Sequence, residues 1–362
     1  MSWHTLREYL SVSRCGLLGL VAFGASASVL AQAPEKAAVS EHVVLEDHYP
    51  ERHVNFPGGV VGTPDLVYSV LPGFRPLHLD LYQPPRATGS ARHPFVVYVH
   101  GGGWMSGQTR QSGAFSNWPD VLASLAARGY VVASVEYRLS SEARFPAAEQ
   151  DVKSAIRWLR AHADSYGIDK SHGLVWGASA GGQLAALAAT SCAVAELEPA
   201  AASTPTGQSP APNLPAESDC VQAAITWYGV FDFSTLAAQH GPNRVPPGGG
   251  ANPAEERYLG CKVSECTSGI VASASPVTYI KHDSPPMLLI HGVADETVPV
   301  AQSQEMYDKL RAAGVATQLF LIPDIDHSFI GKTPQATAEA SHAALARVFQ
   351  FVDATLKGPR HE

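Results

Sequence analysis

Short apolar runs recur along the chain, and segments with a helical spacing of apolar positions separate them. Most of these runs are continuously apolar, which is typical of strands in a sheet that is covered on both faces. The pattern predicts strands at residues 77–82, 95–100, 130–137, 173–176, 223–228, 287–291 and 318–322.

Two segments repeat apolar residues at intervals of three and four, the spacing of one helix face. The alternation of strands and helices predicts an α/β fold with a doubly wound, mostly parallel sheet. One domain with surface insertions would cover residues 43–357, although a length of 362 residues alone suggests about two domains. The helical positions are Val152, Ala155, Ile156, Leu159 and Ala163 in one segment, and Leu345, Val348, Phe349, Val352 and Leu356 in the other.

The N-terminal segment does not follow this pattern. Arg7 and Arg14 precede an apolar run at residues 15–30 that ends in small residues, the layout of a secretory signal peptide. We predict that residues 1–31 are removed and that residues 32–42 form a linker. The alternative is an uncleaved anchor helix, since the run is close to the shortest length that spans a bilayer. Export predicts a secreted or periplasmic protein, and the rest of the sequence has no candidate membrane span.

The amino-acid composition and net charge limit the kinds of molecule that the protein is expected to bind. The chain is 45% hydrophobic and 16% charged, which is typical of a folded protein. Asp and Glu together number 33 against 25 for Lys and Arg, giving a net charge of −8, and no run of basic residues could follow a phosphate backbone. Nucleic acid is therefore not an expected partner.

Four cysteines remain once Cys15 leaves with the signal peptide, and an even number in an oxidising compartment favours two disulfides. Of the three possible pairings we favour Cys192 with Cys220 and Cys261 with Cys266. The first pair brackets an Ala- and Pro-rich segment, residues 193–219, that has the composition of a surface insertion. A zinc site built from the same cysteines is the alternative.

The sequence Gly-Ala-Ser-Ala-Gly at residues 177–181 lies between a predicted strand and a predicted helix. In this setting a sharp turn lifts the hydroxyl of Ser179 above the sheet, and the flanking glycines leave room for neighbouring backbone. The following helix also points its N-terminal amides at the site, where they could stabilise an oxyanion. The pentapeptide alone is a weak signal, and its strand-turn-helix setting supplies the specificity.

A second glycine-rich motif, His-Gly-Gly-Gly-Trp at residues 100–104, closes the strand predicted at 95–100. Consecutive glycines make backbone N–H groups approachable, which an oxyanion hole requires because the charged oxygen lies about 3 Å from its donors. We assign His100 to holding this loop in shape rather than to proton transfer. A flexible glycine-rich turn is the alternative.

With these motifs the sequence resembles the α/β-hydrolase superfamily, and within it the hormone-sensitive-lipase-like and bacterial acetyl or feruloyl esterases with an HGGGW loop. The stretches at 136–139 and 145–148 also look like the corresponding strand and helix entry of those enzymes. The resemblance implies that Gly102, Gly103 and Ala180 donate backbone N–H groups to the oxyanion. A mechanism in which a histidine activates a serine hydroxyl needs no metal and no organic cofactor, so none is expected.

The resemblance also implies that the acid and the base follow Ser179 along the chain, after the last two strands. Asp295 follows the strand at 287–291, and His327 follows the strand at 318–322. Glu296 competes with Asp295 for the role of acid, and Asp324 or Asp326 could orient His327 locally. We predict a Ser179, Asp295 and His327 triad that works through an acyl-enzyme.

The substrate pocket is expected at the carboxyl ends of the strands, where open α/β sheets bind ligands. Aromatic residues near those ends are candidate pocket residues or core residues, and residues 236–275 could cover the pocket. The predicted function is an exported carboxylic-ester hydrolase acting on short-chain, acetyl or aromatic esters, either small molecules or linked to a polysaccharide. The alternatives are a serine peptidase or amidase of the same fold and a catalytically inactive binding protein. The aromatic candidates are Trp104, Trp227, Tyr228, Phe231 and Phe233.

Overall fold

The computed structural model describes residues 52–71, 73–85, 92–199, 217–240 and 254–357. The predicted signal peptide at 1–31 and linker at 32–42 lie outside the described residues. So do residues 200–216 of the predicted insertion and residues 241–253 of the segment predicted to cover the pocket.

Nine strands form one sheet in the order β1-β2-β3-β5-β4-β6-β7-β8-β9. Strands β4 to β9 pair in parallel, whereas β1, β2 and β3 add an antiparallel edge that meets the parallel part at β5. The strands are β1 Val54–Phe56, β2 Val60–Ser69, β3 Leu77–Gln83, β4 His93–Val99, β5 Val131–Val135, β6 Ile168–Ala178, β7 Ala223–Trp227, β8 Met287–Gly292 and β9 Thr317–Ile322.

The helices cover both faces of this sheet. They are α1 Trp118–Ala126, α2 Ala147–Ala161, α3 Ala163–Tyr166, α4 Ala180–Thr190, α5 Phe233–His240, α6 Ala254–Leu259, α7 Ser268–Ala274, α8 Val300–Ala312 and α9 Pro334–Leu356. Within the described residues, no helix is long and apolar enough to cross a membrane.

Strand β4 shows how the two cores form. Phe95 and Val97 point to the core that contains α2, α4 and α8, while Val96 and Tyr98 point to the core that contains α1 and α9. Both sets are fully buried, because successive side chains of a strand point to opposite faces and both faces carry helices. The doubly wound, mostly parallel sheet predicted from the apolar runs is confirmed.

Two disulfides join Cys192 to Cys220 and Cys261 to Cys266, with Cα–Cα distances of 4.8 and 5.3 Å. The first closes the ends of the insertion at 193–219. Helix α2 holds the neighbouring backbone: Lys153 donates to the carbonyl of Ser191 and pairs with Asp219 at 2.8 Å. The insertion is therefore anchored to the domain at both ends.

Candidate active site

Ser179 lies on the turn between β6, which ends at Ala178, and α4, which begins at Ala180. Its backbone has φ of 55° and ψ of −119°, a strained conformation for a residue with a Cβ. The turn also requires glycine next to it, because a Cβ on Gly181 would lie 2.1 Å from the carbonyl oxygen of Val99. The serine side chain caps no helix amide and is free to point into the cleft above the sheet.

The structure brings Ser179, His327 and Asp295 together. The Nε2 atom of His327 lies 3.0 Å from the Ser179 Oγ, and its Nδ1 atom lies 2.8 Å from Asp295 Oδ2. Because a carboxylate only accepts, Nδ1 carries the ring proton and Nε2 accepts from the serine hydroxyl. This tautomer is the one that allows His327 to take the serine proton.

The carboxylate of Asp295 is buried and held on both oxygens. Oδ1 accepts from the amides of Thr297 and Val298 at 2.9 and 2.7 Å, and Oδ2 faces His327 and a second histidine, His291. Burial by itself raises the pKa of this carboxyl, but the hydrogen bonds from the two histidines outweigh burial and hold the pKa well below its usual value. Asp295 is therefore ionised throughout the neutral range.

The competing carboxylates occupy other positions. Asp326 Oδ1 accepts from the amides of Glu296 and His327 at 2.9 and 2.6 Å, so it ties the loop of Asp295 to the loop of His327 without contacting the imidazole. The Glu296 residue is exposed, and Asp324 is an exposed partner of Lys332 at 3.9 Å. Among the described acidic residues, Asp295 is the one that lies against His327 Nδ1.

The glycine-rich loop faces Ser179 across the cleft, and Gly102, Gly103 and Ala180 all line the cleft. Gly102 has φ of +115°, and a Cβ there would lie 2.1 Å from the carbonyl oxygen of Ser106. The amide of Ala180 is at the first position of α4, where a helix offers it no internal partner. These three amides are thus on two elements that meet beside the serine.

Trp104 anchors this loop to α4, the helix that follows Ser179. Its indole N–H donates to Gln183 Oε1 at 2.9 Å, and its ring stacks on Tyr258 with centroids 4.5 Å apart. The Gln183 amide donates in turn to the carbonyl of Ala274 in α7. The sequence reasoning missed Gln183 and Tyr258, since only the folded chain brings α4 and α6 to this indole.

His100 lies behind the loop and is buried. Its Nδ1 donates to the carbonyl of Gly101 at 2.8 Å, and its ring stacks on Tyr137. Burial lowers the pKa of His100 to about 4, although the hydrogen bond to Gly101 opposes the shift. Its contacts are those of a residue that shapes the loop.

The cleft has a volume of about 940 Å³. Of the predicted aromatic residues, Trp104 and Tyr228 line it, and the Tyr228 ring packs edge-on against His327 with centroids 4.6 Å apart. Three residues of the predicted covering segment contribute as well, namely Ala254, Glu255 and Arg257.

The prediction was wrong for Trp227 and Phe231, which are fully buried in the two cores and do not line the cleft. Trp227 points to the face covered by α1 and packs against Trp118 and Trp176. Phe231 lies in the opposite core, and its amide donates to Gln302 Oε1. Phe233 is likewise buried in that core. Proximity to a strand end in sequence does not specify which face a side chain takes.

A second serine, histidine and aspartate cluster lies on the surface at the start of β6. The Nδ1 atom of His172 is 3.0 Å from Ser171 Oγ and 2.7 Å from Asp169 Oδ2. Because both partners face the same nitrogen, this cluster cannot pass a proton from serine to imidazole while the aspartate orients the ring. It supplies a control for the chemistry of Ser179.

Within the described ranges, no three His, Cys, Asp or Glu side chains are grouped so that they could hold a metal ion. The two cysteine pairs are joined as disulfides rather than gathered at one site.

The chain order of Ser179, Asp295 and His327, together with the mostly parallel sheet, places the molecule in the α/β-hydrolase class. The family model described as BD-FAE matches residues 79–310. The chain therefore belongs to the BD-FAE family.

Two curated relatives come from Mycobacterium tuberculosis. Esterase LipQ is 31% identical over 78% of this chain, and the probable carboxylic ester hydrolase LipM is 30% identical over 76%. The matches cover 60% and 57% of those proteins, so the chain spans less than two thirds of their length. Among solved structures, Thermogutta terrifontis esterase 2 phosphonylated by sarin is 26% identical with a TM-score of 0.61, covering 82% of this chain and 96% of that one.

Proposed function

We propose that the protein is a serine carboxylic-ester hydrolase that works through an acyl-enzyme. The observation that carries the proposal is the hydrogen-bonded series from Ser179 through His327 to Asp295, which opens onto a cleft beside the glycine-rich loop. Relatives named as esterases and as a carboxylic ester hydrolase support the same reaction.

In the proposed reaction, Ser179 Oγ attacks the carbonyl carbon of the ester while its proton passes to His327 Nε2. The amides of Gly102, Gly103 and Ala180 stabilise the tetrahedral oxyanion. The carbon–oxygen bond of the ester then breaks, and His327 returns the proton to the departing alcohol. Water repeats the sequence on the acyl-enzyme and releases the acid, while Asp295 stabilises the imidazolium at each stage.

We further propose that the protein is exported and acts on short-chain, acetyl or aromatic esters. The two disulfides support an oxidising compartment, because such bonds persist mainly outside the cytosol. Trp104 and Tyr228 at the cleft support an apolar or aromatic acyl group. A polysaccharide-linked ester belongs to the same proposal, since the cleft is partly open to solvent.

The reaction is tested by release of p-nitrophenol from its acetate together with labelling by an organophosphonate. We expect the label on Ser179, and Ser179→Ala should abolish both labelling and turnover. The matched control is Ser171→Ala, which removes a serine that also lies beside a histidine and an aspartate and should retain full activity. Labelling elsewhere, or an active Ser179→Ala variant, would overturn the proposal.

Substrate class is tested by comparing kcat/KM for aryl acetates, feruloyl esters, acetylated xylan and peptide amides. Turnover of esters with no turnover of amides supports the esterase. Preferential cleavage of amides would instead identify a peptidase or amidase, and binding of esters without turnover would identify an inactive binding protein.

A further inference from the structure

A second histidine, His291, contacts the carboxylate of Asp295 on the oxygen that also faces His327. His291 lies near the end of β8, is fully buried and precedes Asp295 by four residues. Its Nε2 atom is 3.1 Å from Asp295 Oδ2 and 2.9 Å from the carbonyl oxygen of Val298. The same carboxylate oxygen is thus shared by two imidazoles.

The partners of His291 define its tautomer. Both groups beside Nε2 are acceptors, so Nε2 carries a proton that it donates to them. On the other side of the ring, Nδ1 lies 2.7 Å from Ser303 Oγ in α8, and the hydroxyl can donate to it. A neutral imidazole therefore satisfies every one of these contacts.

Asp295 is in this way the centre of two serine–histidine arms. One arm, through His327 and Ser179, opens onto the cleft. The other, through His291 and Ser303, is fully buried and lines no part of the cleft, so it cannot meet a substrate. The buried arm has the chemistry to hold the carboxylate and lacks the access to react.

We propose that His291 is a positioning residue for the acid of the active site, with Ser303 fixing the His291 tautomer. The proposal rests on the proposed ester hydrolysis by Ser179. The two amides on Oδ1 fix one oxygen, and His291 fixes the rotation of the carboxylate about that oxygen, so that Oδ2 stays in line with His327 Nδ1. Without His291, Oδ2 would keep one donor, and the carbonyl of Val298 would lose its donor.

The signature of this role is a change in kcat without a change in KM, because His291 touches the acid and not the substrate. A group displaced by about 1 Å can cost about 10²-fold in rate. We expect His291→Leu to lower kcat for p-nitrophenyl acetate by about 10- to 100-fold, with KM within about twofold of wild type. The rate of Ser179 labelling by an organophosphonate should fall in parallel.

Two further variants separate positioning from packing. In His291→Gln the side-chain amide can still donate to Asp295 Oδ2, so kcat should recover to within about fivefold of wild type. In Ser303→Ala, His291 Nδ1 loses the hydroxyl that fixes the ring tautomer. We expect kcat to fall about three- to tenfold at unchanged KM. The control is His93→Leu, which removes a histidine bound to the backbone carbonyl of Gly129 at the far end of β4 and should leave kcat unchanged.

A double-mutant cycle provides the decisive result. In an Asp295→Asn background, adding His291→Leu should cost less than about threefold more, since the group that His291 positions is already lost. Melting temperatures verify that each variant is folded. If His291→Leu does not fold, His291→Gln and Ser303→Ala still test the proposal.

The proposal is overturned if folded His291→Leu keeps wild-type kcat, if His291→Gln is as slow as His291→Leu, or if the losses in the cycle are additive. These outcomes leave an active enzyme that is labelled at Ser179. Failure of the proposed function is a different result, in which wild-type protein neither turns over esters nor takes the label at Ser179.

Discussion

The carboxylate of Asp295 accepts hydrogen bonds from two backbone amides and two imidazoles. These donors satisfy both oxygens, which is what allows an ionised carboxylate to remain buried. The same arrangement distinguishes Asp295 from its neighbour Glu296, whose side chain is exposed.

Asp295→Asn should lower kcat for an aryl ester by about 10⁴-fold while the protein remains folded. The amide group can donate to His327 Nδ1, which favours the ring tautomer that cannot accept the serine proton. Steady-state kinetics measure the loss, and far-UV circular dichroism checks the fold.

Asp326→Asn and Glu296→Gln are the companion control variants, because they change two of the other carboxylates near His327 that could serve as the acid. Asp326 binds backbone amides through Oδ1, and an asparagine keeps one such acceptor, so we expect losses of less than about tenfold for both companions. If either companion lost activity while Asp295→Asn retained it, the acid would have to be reassigned.

Ser179→Ala and His327→Ala should each lower kcat by about 10⁴- to 10⁶-fold, and the double variant should lose little more than either single variant. The reason is that the serine hydroxyl is a useful nucleophile only while an imidazole takes its proton. Kinetics of the three variants with one substrate test this, and additive losses would contradict the shared role.

Sequence could predict that Ser179, Asp295 and His327 lie close together, because each follows a predicted strand, and parallel strands bring their carboxyl ends to one edge. It could not identify the contacts of His291 and Gln183, or the hydrogen bonds by which Asp326 ties the loop of Asp295 to the loop of His327. Those roles depend on side chains meeting across loops and helices, and nothing in the spacing along the chain encodes which nitrogen or oxygen faces which partner.

At the scale of elements, helix α2 carries two ionisable side chains inside the core. Glu149 and Lys153 are one turn apart and fully buried, and within the described part of the chain neither carboxyl oxygen of Glu149 has a hydrogen-bond partner. Burial raises the pKa of Glu149 from 4.5 to about 8, although Lys153 opposes the shift. At neutral pH the folded protein therefore holds this carboxyl protonated.

Stability should fall as pH rises from 4.5 to about 8, because in this range unfolding releases the proton that the folded protein holds on Glu149. The contribution is fully present below pH 4.5 and is lost as pH rises through about 8, amounting to about 4–5 kcal/mol. Glu149→Gln should flatten the dependence of unfolding free energy on pH across this range. Urea titrations at several pH values measure the slope.

The control for that experiment is Glu339→Gln, at an exposed position of α9. This variant should show the same dependence of unfolding free energy on pH as the wild-type protein. Equal slopes for wild type and Glu149→Gln would contradict a protonated carboxyl in the folded state.

Apolar runs predicted β3 to β9, because the apolar side chains of β3 to β8 are buried in the two cores and those of β9 pack partly buried against them. They did not predict β1 and β2, since Val54 and Val67 are exposed and the alternation along this antiparallel edge is interrupted by register shifts. The first part of β6 was missed for a related reason. Its residues Asp169 to His172 are polar, and β6 is longer than its apolar run at 173–176.

At the scale of the whole molecule, the two disulfides close segments of very different length. Cys192 and Cys220 are 28 residues apart, whereas Cys261 and Cys266 are five apart. In the chain-entropy model a longer closed segment restricts the unfolded chain more.

Replacing Cys192 and Cys220 together by serine should lower the free energy of unfolding by about 3.5 kcal/mol, against about 2 kcal/mol for the pair Cys261 and Cys266. Denaturant titrations of the two double variants measure both losses. Non-reducing peptide mapping establishes the pairing, and free thiols at all four positions would argue against both the pairing and export.

The strand order has a consequence for folding. Ser179 follows β6, whereas Asp295 and His327 follow β8 and β9, so the three side chains come together only after β8 and β9 have added beside β7. Trp118, Trp176 and Trp227 pack together around β6 and β7, and their fluorescence reports formation of that region. During refolding, recovered turnover would therefore time the arrival of the C-terminal strands, while the part of the tryptophan emission that comes from these three rings would time the centre of the sheet.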